Sequence, residues 1–208
     1  MPRTMMDRFE QRKATRGKLV DAALQLFSTS GYEHATVDDI SQAAGYSKGA
    51  YYFHFSTKDD ILLELLRMWT EDRNTQLAGA SESAVTREGL RDVLAGFFSY
   101  AASPRWPGVL LEFWAQALRN QEVSKRLTEA YAVWRRNLAE AFAAARASGV
   151  ITASAEDAAA VALAAHDGYA VQVAIGAPGA KAMTPADLAE SLLQPLEVAV
   201  AERQAAAR

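Results

Sequence analysis

Residues 36–58 read Thr36-Val37-Asp38-Asp39-Ile40-Ser41-Gln42-Ala43-Ala44-Gly45-Tyr46-Ser47-Lys48-Gly49-Ala50-Tyr51-Tyr52-Phe53-His54-Phe55-Ser56-Thr57-Lys58. The stretch contains two short helical patterns separated by a glycine. Val37, Ile40, Ala43 and Ala44 share one face of the first. Thr36 caps that helix, and Asp39 three residues on completes a capping box. Gly45 permits the tight turn, and Ser47 or Lys48 opens the second helix. Two short helices joined in this way form a helix-turn-helix. Its second helix enters a major groove by its N-terminal residues, while the first crosses the phosphate backbone.

The residue types in the second helix suit that task. Ser47 can cap the helix or donate to a phosphate, and Lys48 reaches outward from the first turn. Gly49 lets backbone approach backbone. Tyr51, Tyr52 and His54 carry polar tips on apolar bodies, whereas Phe53 and Phe55 read as packing anchors. Lys58 lies in the first turn of the following helix, whose N–H groups favour an anion. Asp38 is the discordant residue, a negative charge where phosphate should lie.

Outward from this stretch the chain reads as helix throughout. Alanine is abundant, apolar residues recur at three and four, and period-2 runs of β-branched residues are missing. Nine helices are expected near 13–30, 37–44, 48–54, 58–80, 86–102, 107–120, 123–148, 155–176 and 185–203. Hydroxyl caps with an acid three residues on recur at Thr57/Asp60, Ser154/Asp157 and Thr184/Asp187. Pro195 is expected to kink or split the last helix.

The 208 residues are 50% hydrophobic and 23% charged, the proportions of a globular protein, which excludes a disordered or collagen-like chain. Cysteine is missing, so disulfides, thiolate metal sites and cysteine nucleophiles are excluded. With three histidines, no metal and no cofactor are expected. No apolar stretch of spanning or signal-peptide length is visible, so the expected location is the cytoplasm, with no membrane partner. The net charge of −3 hides an asymmetry: the segment Arg3 to Lys18 carries +4 and the remainder −7. One end can therefore neutralise phosphates while the body stays acidic.

The run Ala22-Ala23-x-x-Leu26-Phe27, Gly31-Tyr32, Thr36-Val37-x-x-Ile40-x-x-x-Ala44-Gly45, Ser47-Lys48-Gly49, Tyr52-Phe53-His54-Phe55 and Lys58-Asp59-x-Ile61-Leu62 resembles the DNA-binding region of the TetR family of bacterial transcriptional regulators. The resemblance implies an all-α fold, with a three-helix DNA-binding domain at 1–64 (a flexible basic tail over about 1–12) and a larger helical bundle at 65–208 for ligand binding and dimerisation. It implies a homodimeric repressor on a near-palindromic double-stranded operator. Tyr52, His54 and Lys58 would then meet phosphates, Ser47, Lys48, Gly49 and Tyr51 would lie nearer the bases, and Tyr46 would also belong to the DNA-binding surface. Thr36 would present its helix end to the backbone. An activator or a ligand-independent regulator of the same family is the alternative.

For the larger domain, the family pattern implies an effector pocket. Its inventory here is Phe97, Tyr100, Trp106, Leu110, Phe113, Trp114, Trp134, His166, Asp167 and Tyr169, which points to an apolar or aromatic small molecule. A cationic effector would seek Glu112 or Asp167. Ala162, Leu188, Leu192, Leu196 and Val200 are the expected dimer contacts, through a bundle of two helices from each chain. No nucleophile elbow, phosphate loop or zinc motif is present, so an enzyme is not expected. A helical adaptor that uses the same packing without DNA is the remaining rival.

Overall fold

The computed structural model describes residues 5–101, 106–180 and 182–206, with 5–8, 107 and 196–206 described in backbone only. Ten helical segments and no strand occur among them: α1 (Met5–Ser30), α2 (Val37–Ala43), α3 (Lys48–His54), α4 (Lys58–Leu77), α5 (Ala80–Ser83), α6 (Arg87–Ser99), α7 (Pro107–Ala117), α8 (Gln121–Ala147), α9 (Ala155–Ala174) and α10 (Pro185–Ala206). The nine expected helices are all present. The added one, α5, is a single turn set off by Gly79, whose φ of 75° stops α4.

Two details depart from the sequence reading. The first helix begins at Met5, so residues 5–12 continue a helix instead of forming a flexible tail. Met, Glu, Gln and Arg are good helix formers, and neither glycine nor proline interrupts this stretch. The last helix runs unbroken through Pro195, which is exposed. It is not split there.

The four capping sites behave as their residue types dictate. Thr36 accepts from the Asp39 amide while Asp39 accepts from the Thr36 amide at 2.9 Å. Thr57 and Asp60 are paired likewise, at 3.1 and 2.9 Å. So are Thr184 and Asp187, at 3.1 and 2.9 Å. Ser154 accepts from the Asp157 amide.

The chain forms two compact units, 1–69 with 108–124, and 70–107 with 125–208. In the first, α1 packs on α2 and α2 on α3 over a core that includes Leu19, Ala23, Phe27, Ile40, Tyr51 and Leu65. Trp69 meets Phe113 at 5.6 Å between ring centres. In the second unit α10 packs along α6, and α6 also meets α9. Leu94, Phe98, Phe142, Leu163, Ala189 and Leu193 are buried there. These units differ from the expected division at 64/65: the break in α4 falls after Trp69, and 108–124 is built into the first unit.

Candidate nucleic-acid interface

Local rules place the reading helix. Gly45, at φ 75°, makes the turn that side chains disfavour, and its amide donates to Gln42 O at 3.0 Å. Ser47 then caps α3 by accepting from the Ala50 amide at 3.3 Å. Seven residues give two turns, so burial of Tyr51 and Phe55, four apart, fixes the helix phase. Ser47, Lys48, Gly49, Tyr52 and Phe53 are thereby exposed.

Two expectations for this helix are corrected. Tyr51 is fully buried and its hydroxyl donates to Thr57 O at 2.9 Å, so it is a core residue and not a base contact. Phe53 is 60% exposed and is no core anchor, because it lies two residues from Tyr51 on the opposite face. The Arg12 guanidinium stacks on its ring at 4.5 Å.

Charge on this surface is arranged in pairs. Lys48 Nζ bonds Asp38 Oδ2 at 2.6 Å, which raises the lysine pKa and accounts for the discordant acid. Lys58 turns inward instead of reaching out. Its ammonium donates to Tyr32 O at 2.6 Å and Glu33 O at 3.3 Å, 4.2 Å from the Tyr32 ring centre. Its charge thus holds the 31–35 loop. Burial and the nearby Arg16 and Arg12 hold His54 below its ordinary range.

The edge of α1 continues the same surface. Arg12, Lys13 and Lys18 are exposed, and Lys18 Nζ lies 5.8 Å from the Tyr46 ring. An open groove of about 710 Å³ runs between α1 and α3, bordered by Arg12, Thr15, Tyr46, Gly49, Phe53 and His54. Arg16 is partly committed to Glu64, which Arg67 also holds at 2.7 Å. Burial works against the Glu64 charge, but the two guanidiniums outweigh it and hold the carboxyl at about 2.

The residues expected to line an effector pocket divide between the two units. Leu110, Phe113 and Trp114 belong to the first. Glu112 and Gln116 belong there too: Gln116 donates to Glu33 at 3.2 Å, and Glu112 lies beside Gly31. Phe97, Tyr100, Trp106, Trp134, His166, Asp167 and Tyr169 belong to the second. Tyr169 donates to Met183 O at 2.5 Å. Phe97, Tyr100, Trp134, His166 and Asp167 gather around a residue that sequence reasoning missed, Arg73 of α4, which is 2% exposed. One signal could have found it. Arg73 falls on the inward stripe of α4, four residues from both Trp69 and Leu77.

Of the expected dimer contacts, Ala162 is fully buried within its own unit, and Leu188 and Leu192 are half-buried. The side chains of Leu196 and Val200 lie outside the described residues. The exposed face of α9 is one residue away from the expected one, with Val161, Ala164 and Gly168 in helical register and the C-cap residue Ile175 exposed beyond them. Among the described residues no helix is long and apolar enough to cross a membrane, and no group of three or more His, Asp or Glu could hold a metal ion.

Two family models match. Residues 19–65 match the bacterial regulatory proteins of the tetR family, and residues 86–196 match the C-terminal domain of BetI-type transcriptional repressors. The HTH-type transcriptional regulator YwcC of Bacillus subtilis is 52% identical over 56 residues, 27% of this chain and 25% of that protein. The HTH-type transcriptional repressor Rv1474c of Mycobacterium tuberculosis is 35% identical over 120 residues, 58% of each. The matches thus span between a quarter and six-tenths of these relatives' lengths. A transcriptional regulator from Saccharomonospora viridis, solved in complex with choline, shares the fold with a TM-score of 0.68 at 24% identity, covering 85% of this chain and 92% of that one. The helix-turn-helix motif and the helical domain that follows it in sequence lead to one conclusion: this chain belongs to the TetR family of bacterial transcriptional regulators, with a C-terminal domain of the BetI type.

Proposed function

We propose that the chain is a sequence-specific DNA-binding repressor that acts as a homodimer on a near-palindromic operator in the bacterial cytoplasm. One observation carries the reading. The exposed face of α3 presents Ser47, Lys48, Gly49 and Tyr52 on a helix whose other face, Tyr51 and Phe55, is locked in the core. A rigid short helix with polar tips and one bare backbone position is what a major groove receives. Tyr46, neutral His54 and the helix end at Thr36 flank it. Arg12, Lys13 and Lys18 extend the cationic edge along α1. Lys58 acts from behind by holding the 31–35 loop, not by touching phosphate.

Pairing of two chains through the apolar face of α9, with Leu188 and Leu192 of α10 beside it, would set two heads one helical turn of DNA apart, about 34–36 Å. A small molecule bound in the second unit would change that spacing and release the operator. The choline held by the Saccharomonospora viridis regulator supports the existence of such effectors in this fold and does not identify the one used here.

The test is a titration of the protein against DNA from upstream of its own gene at several salt concentrations. Tight, sequence-dependent binding with a steep salt slope is expected. Lys48→Ala should weaken it by about tenfold or more and reduce the slope by about one. Tyr52→Ala should weaken it as well. If random DNA, and fragments selected from a random pool, are bound no more tightly than background, the DNA-binding reading fails.

A further inference from the structure

Phe53 is an apolar residue of the reading helix that the fold does not use. It is 60% exposed, on a helix that turns Ser47, Lys48, Gly49 and Tyr52 outward, while Tyr51 and Phe55 already supply the core face. The ring is nevertheless held. The Arg12 guanidinium lies over it, 4.5 Å from the ring centre, and the His54 ring stands perpendicular to it at 5.1 Å. An exposed phenylalanine fixed in this way has its orientation set before any partner arrives.

The stack borders two open grooves. The groove of about 710 Å³ between α1 and α3 has Gly49, Ala50 and Phe53 on the α3 side and Arg12 and Thr15 on the α1 side. A second, of about 580 Å³, shares Phe53, Arg12 and His54 and adds Phe9, Lys13 and Arg16. Phe53 lies one turn beyond Gly49 on the same edge of α3. A base edge that the bare backbone of Gly49 admits therefore has the ring beside it. The seven residues of α3 make about 10 Å of helix, and a major groove is about 12 Å wide, so its second turn enters with its first.

Charge and continuity identify the occupant as DNA. Arg12, Lys13 and Arg16 rim the grooves and attract a polyanion. The ring sits on the same helix that carries Lys48 and Tyr52. Within a major groove one base presents an apolar group, thymine with its 5-methyl, and phenylalanine is among the side chains that meet it. We propose that Phe53 is a specificity-determining residue whose ring takes the 5-methyl group of one thymine in each half-site of the operator. The proposal rests on the DNA-binding reading given above and adds an apolar contact to the polar ones named there.

The probe is the tightest duplex recovered from a random pool by the full-length protein, with each thymine replaced in turn by deoxyuridine. That change removes the methyl group and keeps every hydrogen-bonding atom of the base. Burial of one methyl group is worth about fourfold in affinity. One replacement in each half-site should therefore weaken the parent about fourfold and leave Phe53→Ala unaffected. On the unmodified duplex Phe53→Ala should bind at least fourfold more weakly than the parent, with the same salt slope, because no phosphate contact is lost. Its melting temperature should match that of the parent, since the ring lies outside the core. Three results overturn the proposal: a preferred site without a thymine in each half-site, a parent indifferent to uracil at every position, or a uracil penalty that persists in Phe53→Ala. Recovery of no preferred duplex is a different failure, which ends the DNA-binding reading and this contact with it.

Discussion

Asp38 and Lys48 show how a single contact changes the meaning of a residue. Read alone, Asp38 opposes DNA. In the fold it lies 2.6 Å from the lysine meant to meet DNA. Asp38→Asn should therefore tighten binding to all DNA several-fold and narrow the preference for the operator, a change that parallel titrations on specific and random duplexes would expose. Unequal gains that favour the operator would refute this role. Tyr51 and Tyr52 make the complementary pair. Tyr51→Phe removes the bond to Thr57 O and should lower stability by about 1 kcal/mol in a urea melt while the folded protein keeps its operator affinity. Tyr52→Ala should do the reverse. Sequence could not separate these neighbours, because two turns of helix leave the phase open until tertiary packing selects it. The same ambiguity put Phe53 in the core, although it is exposed, and Ala162 on an open face, although it is buried. Capping residues were legible because their partners lie three residues away. Arg73 was illegible because its partners lie on α6, α8 and α9.

Among the elements, glycines mark where backbones approach. At Gly108 a Cβ would sit 2.7 Å from Ser28 O and 2.9 Å from its Cα, so α7 meets α1 at a point where only glycine fits. Gly108→Ala should cost about 1–3 kcal/mol, measured by denaturant unfolding. Gly49 is the control. A Cβ there would meet nothing closer than Ser47 Oγ at 3.7 Å, so Gly49→Ala should leave stability within about 0.5 kcal/mol and weaken operator binding. A loss of stability at Gly49 would show that its glycine serves the fold and not the ligand. The starts and ends of most helices were readable from glycine, proline and hydroxyl signals. The early start of α1 was not, since a basic run that can also be helix carries no signal of its own.

For the molecule as a whole, two buried groups set the response to acid. Glu64 is held at about 2 against an ordinary 4.5, so the unfolded chain takes up its proton first as pH falls. The stability it supplies is complete above 4.5 and is lost between 4.5 and 2, on the order of 2 kcal/mol once solvent around the two guanidiniums is allowed for. His166, at about 4 against 6.5, adds a loss between 6.5 and 4, because the folded state refuses a proton that the unfolded state accepts. Melting temperature should therefore decline in two stages on acidification. His166→Gln should shrink the upper stage, to which His54 also contributes, and Glu64→Gln the lower. A single decline unaffected by either change would assign acid sensitivity to other groups.

The bond between Lys48 and Asp38 has a bearing on kinetics as well as on affinity. A regulator must travel over a great excess of wrong sequence before it meets the right one. If Lys48 meets DNA as proposed, a lysine that stays engaged with its own carboxylate during that travel would loosen the grip on each passing site by one charge. A base edge at the operator would then take the lysine over. Search and arrest would differ by the exchange of one hydrogen-bond partner, and slower dissociation of Asp38→Asn from random duplexes would be the sign of it.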